Sequence, residues 1–131
     1  MTDDEFLHAF FSLSLPPSAF RHRDHVRLAW LVVRRRGAAA AEPVVGEAIR
    51  RFAAGHGQGD RYHETLTAFW VRLVAHAVQD GADIDDFDGF LHAYPLLLDP
   101  QLPLRHWSRN ALFARAARAS WQKPDIIPLS F

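Results

Sequence analysis

Three histidines stand at spacings that could bring their imidazole rings to one site. His22 and His25 lie three residues apart, and residues i and i+3 of a helix share a face. His63 stands three residues before Leu66 and seven before Trp70, so it continues the apolar stripe of a later helix. Three inward imidazoles can hold a divalent transition metal (zinc, iron or copper) and leave coordination positions open. The sequence therefore predicts a metal centre formed by His22, His25 and His63.

Residues near these histidines could transfer protons or form the wall of a pocket. Glu64 and Tyr62 flank His63, and a carboxylate and a phenol are suitable groups for proton transfer, so both are candidate catalytic residues. The candidate pocket residues share proximity to a histidine motif or to the predicted central helix: Phe20, Thr67, Trp70 and His106. His106 is also a reserve fourth metal ligand.

The run from His63 to Thr67 differs from the helix motif of zinc proteases. That motif needs a second histidine four residues after the first, and this chain has Thr67 there. Two other interpretations of the histidines stay open. His22 and His63 could be hydrogen-bonding groups at helix starts. Alternatively, His25 or His63 could be a general base or acid in a metal-free pocket, with Tyr62 and Glu64 as partners.

The composition is that of an ordinary globular domain. The chain has 131 residues, of which 49% are hydrophobic and 23% charged, enough for one domain with its own core. Cysteine is absent, which excludes disulfides, thiolate metal ligands and a cysteine nucleophile. Fifteen basic residues balance fifteen acidic ones, so no overall positive field favours nucleic acid as a partner.

The N-terminal residues argue for a cytoplasmic protein. Residues 1–5 are acidic where a secretory signal would be basic. No apolar run approaches the ~18 residues that a membrane span requires. We therefore expect a cytoplasmic location and no membrane partner.

Hydrophobic periodicity predicts an all-α fold, a single-domain bundle of about five to six short helices over residues 1–131. The first helix is expected at residues 3–12, and the second runs from His22 or Asp24 to Arg36. The third carries Pro43 in its first turn. The central helix extends from about Asp60 to just before Gly81, and the remaining segments are residues 83–94 and a last helix capped by Ser108.

Two segments resemble the motifs of a family of small bacterial proteins. They are Phe20-x-His22-x-x-His25-Val26-Arg27-Leu28-Ala29-Trp30 and Tyr62-His63-Glu64-Thr65-Leu66-Thr67-x-Phe69-Trp70. The resemblance extends from Phe20 to about Trp121. It implies no particular activity, cofactor or catalytic residue, but it singles out the same two motifs as the spacing of the histidines.

Two functions of different classes follow from these features. The first is a small metal-dependent enzyme acting on a small-molecule substrate, by hydrolysis with zinc or by oxidation with iron or copper. The alternative is a non-catalytic helical binding or regulatory module whose histidines are core hydrogen-bonding residues. In that case an exposed patch of Leu96 to Leu98 with Trp107 would bind a partner or a second copy, so a homo-oligomer is possible.

Overall fold

The structure is a computed structural model that describes residues 1–131. It contains seven α-helices and no strand, and the predicted all-α fold is confirmed. In chain order the helices are α1 Asp3–Phe11, α2 His22–Arg36, α3 Ala38–Gly55, α4 Glu64–Asp80, α5 Phe87–Ala93, α6 Arg109–Leu112 and α7 Arg115–Ala119. Short 3₁₀ turns lie between them at Pro17–Ala19, Gly59–Arg61, Pro95–Leu98 and Leu102–Arg105.

Local signals at the first two helices act as predicted. The Thr2 hydroxyl accepts the backbone N–H of Glu5, and the Glu5 carboxylate accepts that of Thr2, which completes a capping box at the start of α1. α2 ends at Gly37, whose φ of 86° lies in a region that favours glycine. Because α2 begins at His22, His22 and His25 both lie in its first turn, as their spacing predicts.

Helix α3 begins earlier than predicted. Pro43 lies inside the helix instead of in its first turn, where its missing N–H removes one backbone hydrogen bond. The preceding alanines have the highest helix propensity of any residue type. Ala41 is completely buried, so packing against the core also stabilises the additional turn.

Helix α4 begins later than predicted, at Glu64 instead of near Asp60. His63 is its N-cap residue, and the ring Nδ1 accepts the backbone N–H of Leu66. The segment Gly59–Arg61 forms a separate 3₁₀ turn. His63 thus stands at the junction between this turn and the central helix.

The C-terminal helices are shorter than predicted, for a different reason in each case. Asp86 caps α5 by accepting the N–H of Gly89, so α5 begins after it. Ser108 caps α6 as predicted, through the N–H of Ala111. Ala114 is extended and divides the predicted last helix into α6 and α7.

Helices α2, α3 and α4 pack against one another and form the main core. Its completely buried side chains include Leu28, Val45 and Val74. No helix combines the length and the apolar character that spanning a membrane requires.

A second, smaller core lies beneath the C-terminal segment. Phe69, Leu102, Trp107 and Leu112 form it, and all four are buried. The indole Nε1 of Trp107 donates to the backbone carbonyl of Gln122. The prediction that Trp107 belongs to an exposed patch is therefore wrong, because the ring fills this core and has no exposed surface.

Candidate functional site

The three predicted histidines line one cavity between α2, α3 and α4. Its volume is about 340 Å³. Its polar lining comes from two short stretches of chain: His22, His25, Arg61, Tyr62, His63 and Thr67. Its apolar lining comes from all three helices and one later loop: Ala29, Val45, Ile49, Leu66, Trp70, Val71 and Pro100. The predicted pocket residues Thr67 and Trp70 are therefore both on its wall.

His63 uses both of its ring nitrogens within the protein. Nδ1 accepts the N–H of Leu66 at 3.1 Å, so Nε2 carries the proton and donates it to the Leu112 carbonyl at 2.7 Å. Burial lowers the pKa of the ring, which favours this neutral form. In this arrangement His63 connects α4 to α6 and has no nitrogen available for a metal. The interpretation as a hydrogen-bonding group at a helix start fits this geometry.

His22 uses one nitrogen within the protein. Nε2 lies 2.8 Å from the Leu97 carbonyl and donates to it, while the ring meets Trp70 edge to face with centroids 4.4 Å apart. Burial lowers the pKa of His22, and the Leu97 carbonyl partly opposes this change. Nδ1 has no protein partner and is an acceptor in the neutral ring.

His25 is the histidine least committed to the protein scaffold. Its ring stacks on Phe20 with centroids 4.0 Å apart. The prediction of Phe20 as a pocket residue is wrong, because Phe20 is not on the cavity wall and instead supports the His25 ring. Burial, with a smaller contribution from neighbouring His22, lowers the pKa of His25 to about 4. The Phe20 backbone beside the ring partly opposes this change. A neutral imidazole has one acceptor nitrogen, and that of His25 has no protein partner on the cavity wall.

The two predicted catalytic residues contact each other. The Tyr62 hydroxyl donates to Glu64 at 2.8 Å, and Arg50 binds the same carboxylate oxygen at 2.8 Å. Arg50 also lies over the Tyr62 ring, 4.7 Å from its centroid. Burial and the Glu64 carboxylate raise the pKa of Tyr62 to about 12. Tyr62 is therefore a poor acid here, and Glu64 is held at the edge of the site by Arg50 and does not line the cavity.

His106 lies away from the cavity, so its prediction as a pocket residue is wrong. Its Nδ1 donates to the Ile127 carbonyl at 2.8 Å. Its own carbonyl accepts the N–H groups of Ile126 and Ile127. His106 holds the C-terminal tail, because the 3₁₀ turn before it directs the ring toward that tail.

Two of the three histidines predicted as metal ligands have a ring nitrogen available for a metal. His22 and His25 each have an unpartnered nitrogen, whereas both nitrogens of His63 are hydrogen-bonded. No group of three His, Asp or Glu side chains is arranged to hold a metal ion. A metal would require His63, or another donor, to leave its present partners.

One charged residue and two apolar residues of the cavity wall were not predicted from the sequence. Arg61 lies on the 3₁₀ turn before α4 and has no sequence signal that distinguishes it from the other arginines. Val45 and Ile49 lie four residues apart on α3, and this helical spacing of apolar residues could have placed them at the site.

A larger apolar groove of about 660 Å³ is lined by residues of α4, the end of α5 and the Pro95–Leu98 turn. Leu96 lines it and is exposed, and Leu98 is also exposed, as the predicted surface patch requires, whereas Leu97 is buried. The Leu97 carbonyl accepts the hydrogen bond of His22 Nε2, so this turn also anchors one histidine of the cavity.

Replacing His63 tests whether the residue supports the fold. We expect His63→Ala to lower the free energy of unfolding by about 2 kcal/mol, about half from the lost cap and half from the unpaired Leu112 carbonyl. His63→Asn keeps a good capping group and should recover about half of the loss. Urea denaturation followed by circular dichroism measures both variants. An unchanged stability in His63→Ala would contradict the structural role.

Comparison of the chain with protein-family models, with curated proteins and with solved structures finds no match. The resemblance of its two motifs to a bacterial family therefore stays a prediction. The function has to be argued from the cavity itself.

Proposed function

We propose that the histidine cavity binds a small organic molecule and that His25 accepts a hydrogen bond from it. The observation that carries this proposal is the state of the His25 ring. It is a neutral imidazole, supported from behind by Phe20, with one nitrogen free on the wall of a cavity. Because this nitrogen lies on a cavity wall, a molecule that enters the cavity meets an acceptor with no competing protein partner.

The cavity has the size and lining of a small-molecule site. Its volume of about 340 Å³ falls at the lower end of the ~300–1,000 Å³ typical of ligand pockets. Such pockets are mostly apolar with a few polar groups that orient the ligand. Here Val45, Ile49 and Trp70 supply apolar surface, and His25 and Thr67 supply polar groups.

The pKa of His25 favours hydrogen bonding over proton abstraction at neutral pH. A general base is most effective when its pKa lies near the working pH. With a pKa of about 4, His25 accepts a hydrogen bond at pH 7 but holds a transferred proton poorly. Catalysis by His25 would require a bound molecule that stabilises the imidazolium.

A metal-dependent enzyme is the second candidate. The observation that favours it is the pair of unpartnered nitrogens on His22 and His25, three residues apart on α2. Zinc, iron or copper bound there would act as a Lewis acid or redox centre on a small substrate. Elemental analysis of the untagged protein tests this candidate. Stoichiometric metal that is lost in His25→Ala would support it, and absence of metal before and after titration with all three ions would contradict it.

Fragment binding tests the proposed function directly. We expect a library of small hydroxylated and aminated aromatic compounds to yield binders that shift the NMR signals of the His25 ring and the Trp70 indole. His25→Ala should weaken these binders about tenfold, because one hydrogen bond to a partly buried acceptor is worth about 1 kcal/mol or slightly more. His92→Ala is the matched control, since His92 is exposed and lies outside the cavity.

The outcomes separate the candidates. Binding that depends on His25 and not on His92 supports the proposal. Fragments that bind elsewhere, or equally well to wild type and His25→Ala, would show that the free imidazole is not the recognition group.

A further inference from the structure

The charge on the cavity wall is concentrated in one residue. Among the lining residues only Arg61 carries a full charge at neutral pH, and no aspartate or glutamate is present on the wall. The pKa of each lining histidine is lowered, so the rings add no competing positive charge. The cavity is therefore neutral and largely apolar inside, with one cation at its solvent-exposed edge.

Arg61 has no carboxylate partner, unlike several other arginines of the protein. Arg23, Arg27, Arg35, Arg50, Arg51 and Arg72 each form an ion pair. Arg61 forms none, although Glu64 lies only three residues away. The Glu64 carboxylate is bound by Arg50 and Tyr62 instead. Asp60, the acid next to Arg61 in the sequence, forms no ion pair with it.

The backbone around Arg61 is anchored, so its position relative to the cavity is defined. Its N–H donates to the Gln58 carbonyl at 2.9 Å. The next residue, Tyr62, is fixed through its hydroxyl to Glu64 and by the Arg50 guanidinium over its ring. A Cβ added at Gly46 would lie 3.2 Å from the Tyr62 hydroxyl, so α3 packs closely against this anchor.

We propose that the ligand of this cavity is a small organic acid whose carboxylate pairs with Arg61 and whose apolar body packs on Val45, Ile49 and Trp70. This inference rests on the proposed function and specifies its ligand. A guanidinium presents parallel N–H donors that match a carboxylate in a two-pronged pair. A hydroxyl or amine on the body of the acid would donate to His25.

The lining favours a carboxylate over a phosphate. A phosphate carries up to two charges and is costly to desolvate, so its sites gather several donors and cations. This cavity offers one cation and a mostly apolar wall. A single negative charge on an apolar body fits that combination, with the charge at the edge and the body inside.

The experiment compares acids with their neutral analogues. The probes are hydroxy-substituted phenyl and alkyl carboxylic acids, each paired with its primary amide, and inorganic phosphate as a separate arm. Affinities are measured by NMR titration for wild type, Arg61→Gln and the control Arg36→Gln. Arg36 is also exposed and unpaired but lies at the far end of α2, outside the cavity.

We expect the acids to bind wild type about tenfold more tightly than their amides. Arg61→Gln should remove that difference while leaving amide binding unchanged, and Arg36→Gln should change neither. Acids and amides that bind wild type equally would overturn the inference and leave the proposed function standing. If phosphate competes with the acids and its binding is lost in Arg61→Gln, the ligand class would be phosphates instead of carboxylic acids. If none of the probes binds, both the inference and the proposed function fail.

Discussion

Acidification from pH 7 to pH 4 is expected to lower the free energy of unfolding by about 3 kcal/mol through His25 alone. The pKa of His25 falls from 6.5 to about 4 in the folded protein because burial disfavours the imidazolium. Between these values the unfolded chain binds a proton that the folded chain does not. The stabilisation from His25 is therefore fully present above pH 6.5. It decreases by ~1.4 kcal/mol per pH unit as the pH falls below that value, and it levels off near pH 4.

The other titrating groups act with the same sign or in a different pH range. The pKa values of His22 and His63 are also lowered, so both add to the loss in this window. Glu5 and Asp125 also have lowered pKa values. The stability that each contributes is lost only as the pH falls below its ordinary pKa, which is 4.5 for Glu5 and 3.8 for Asp125. The range from pH 6.5 to 4.5 thus reports the histidines.

Urea denaturation at half-unit pH intervals measures this dependence. His25→Gln should reduce the slope between pH 6.5 and 4.5 to the part that His22 and His63 contribute, whereas His92→Gln, which changes an exposed histidine, should leave it unchanged. The same slope in wild type and His25→Gln would mean that His25 titrates normally and that its ring is not desolvated. That result would also weaken the proposal that His25 is a neutral acceptor at the cavity.

Trp107→Ala is expected to lower the free energy of unfolding by about 3 to 5 kcal/mol, because it removes the largest side chain of the second core. The ring has no exposed surface and packs against Phe69 and Trp121, with centroids 5.5 Å and 5.7 Å away. Its Nε1 also donates to Gln122. The substitution should therefore release the C-terminal segment from α4.

Thermal and urea unfolding test this prediction. Trp107→Phe should have an intermediate effect, since a ring remains but the Gln122 carbonyl loses its donor. The control is Leu96→Ala, because Leu96 is 55% exposed and its truncation should change stability by no more than about 0.5 kcal/mol. Equal effects of Trp107→Ala and Leu96→Ala would contradict the assignment of Trp107 to a core.

The histidines of the cavity divide into supporting and free groups. His63 and His22 each donate to a backbone carbonyl, of Leu112 and Leu97 respectively, and so hold distant parts of the chain against the cavity. His25 takes no such role. This division explains why a cluster with the spacing of a metal centre also suits a cavity in which His25 is the one histidine that binds no distant segment.

Much of the local structure could be predicted from the sequence by itself. The Thr2–Glu5 capping box and Gly37 set the ends of α1 and α2, since both signals act within a few residues. The apolar stripe of α4 predicted the inward direction of His63, and the i, i+3 spacing placed His22 and His25 on one face of α2. These features depend on end signals and helical periodicity, both of which are visible within a few residues of the sequence.

Only the tertiary structure decided what each histidine can do. The partner of His22 lies 75 residues away in the chain and that of His63 lies 49 residues away, so no local pattern could indicate them. The C-terminal tail likewise binds His106, and Glu64, three residues after Arg61, is bound by Arg50 of α3. Spacing along a helix determines which side chains share a face. Contacts between distant segments determine which ring nitrogens and charges stay free, because hydrogen-bond partners are supplied by whichever backbone groups the packing brings close.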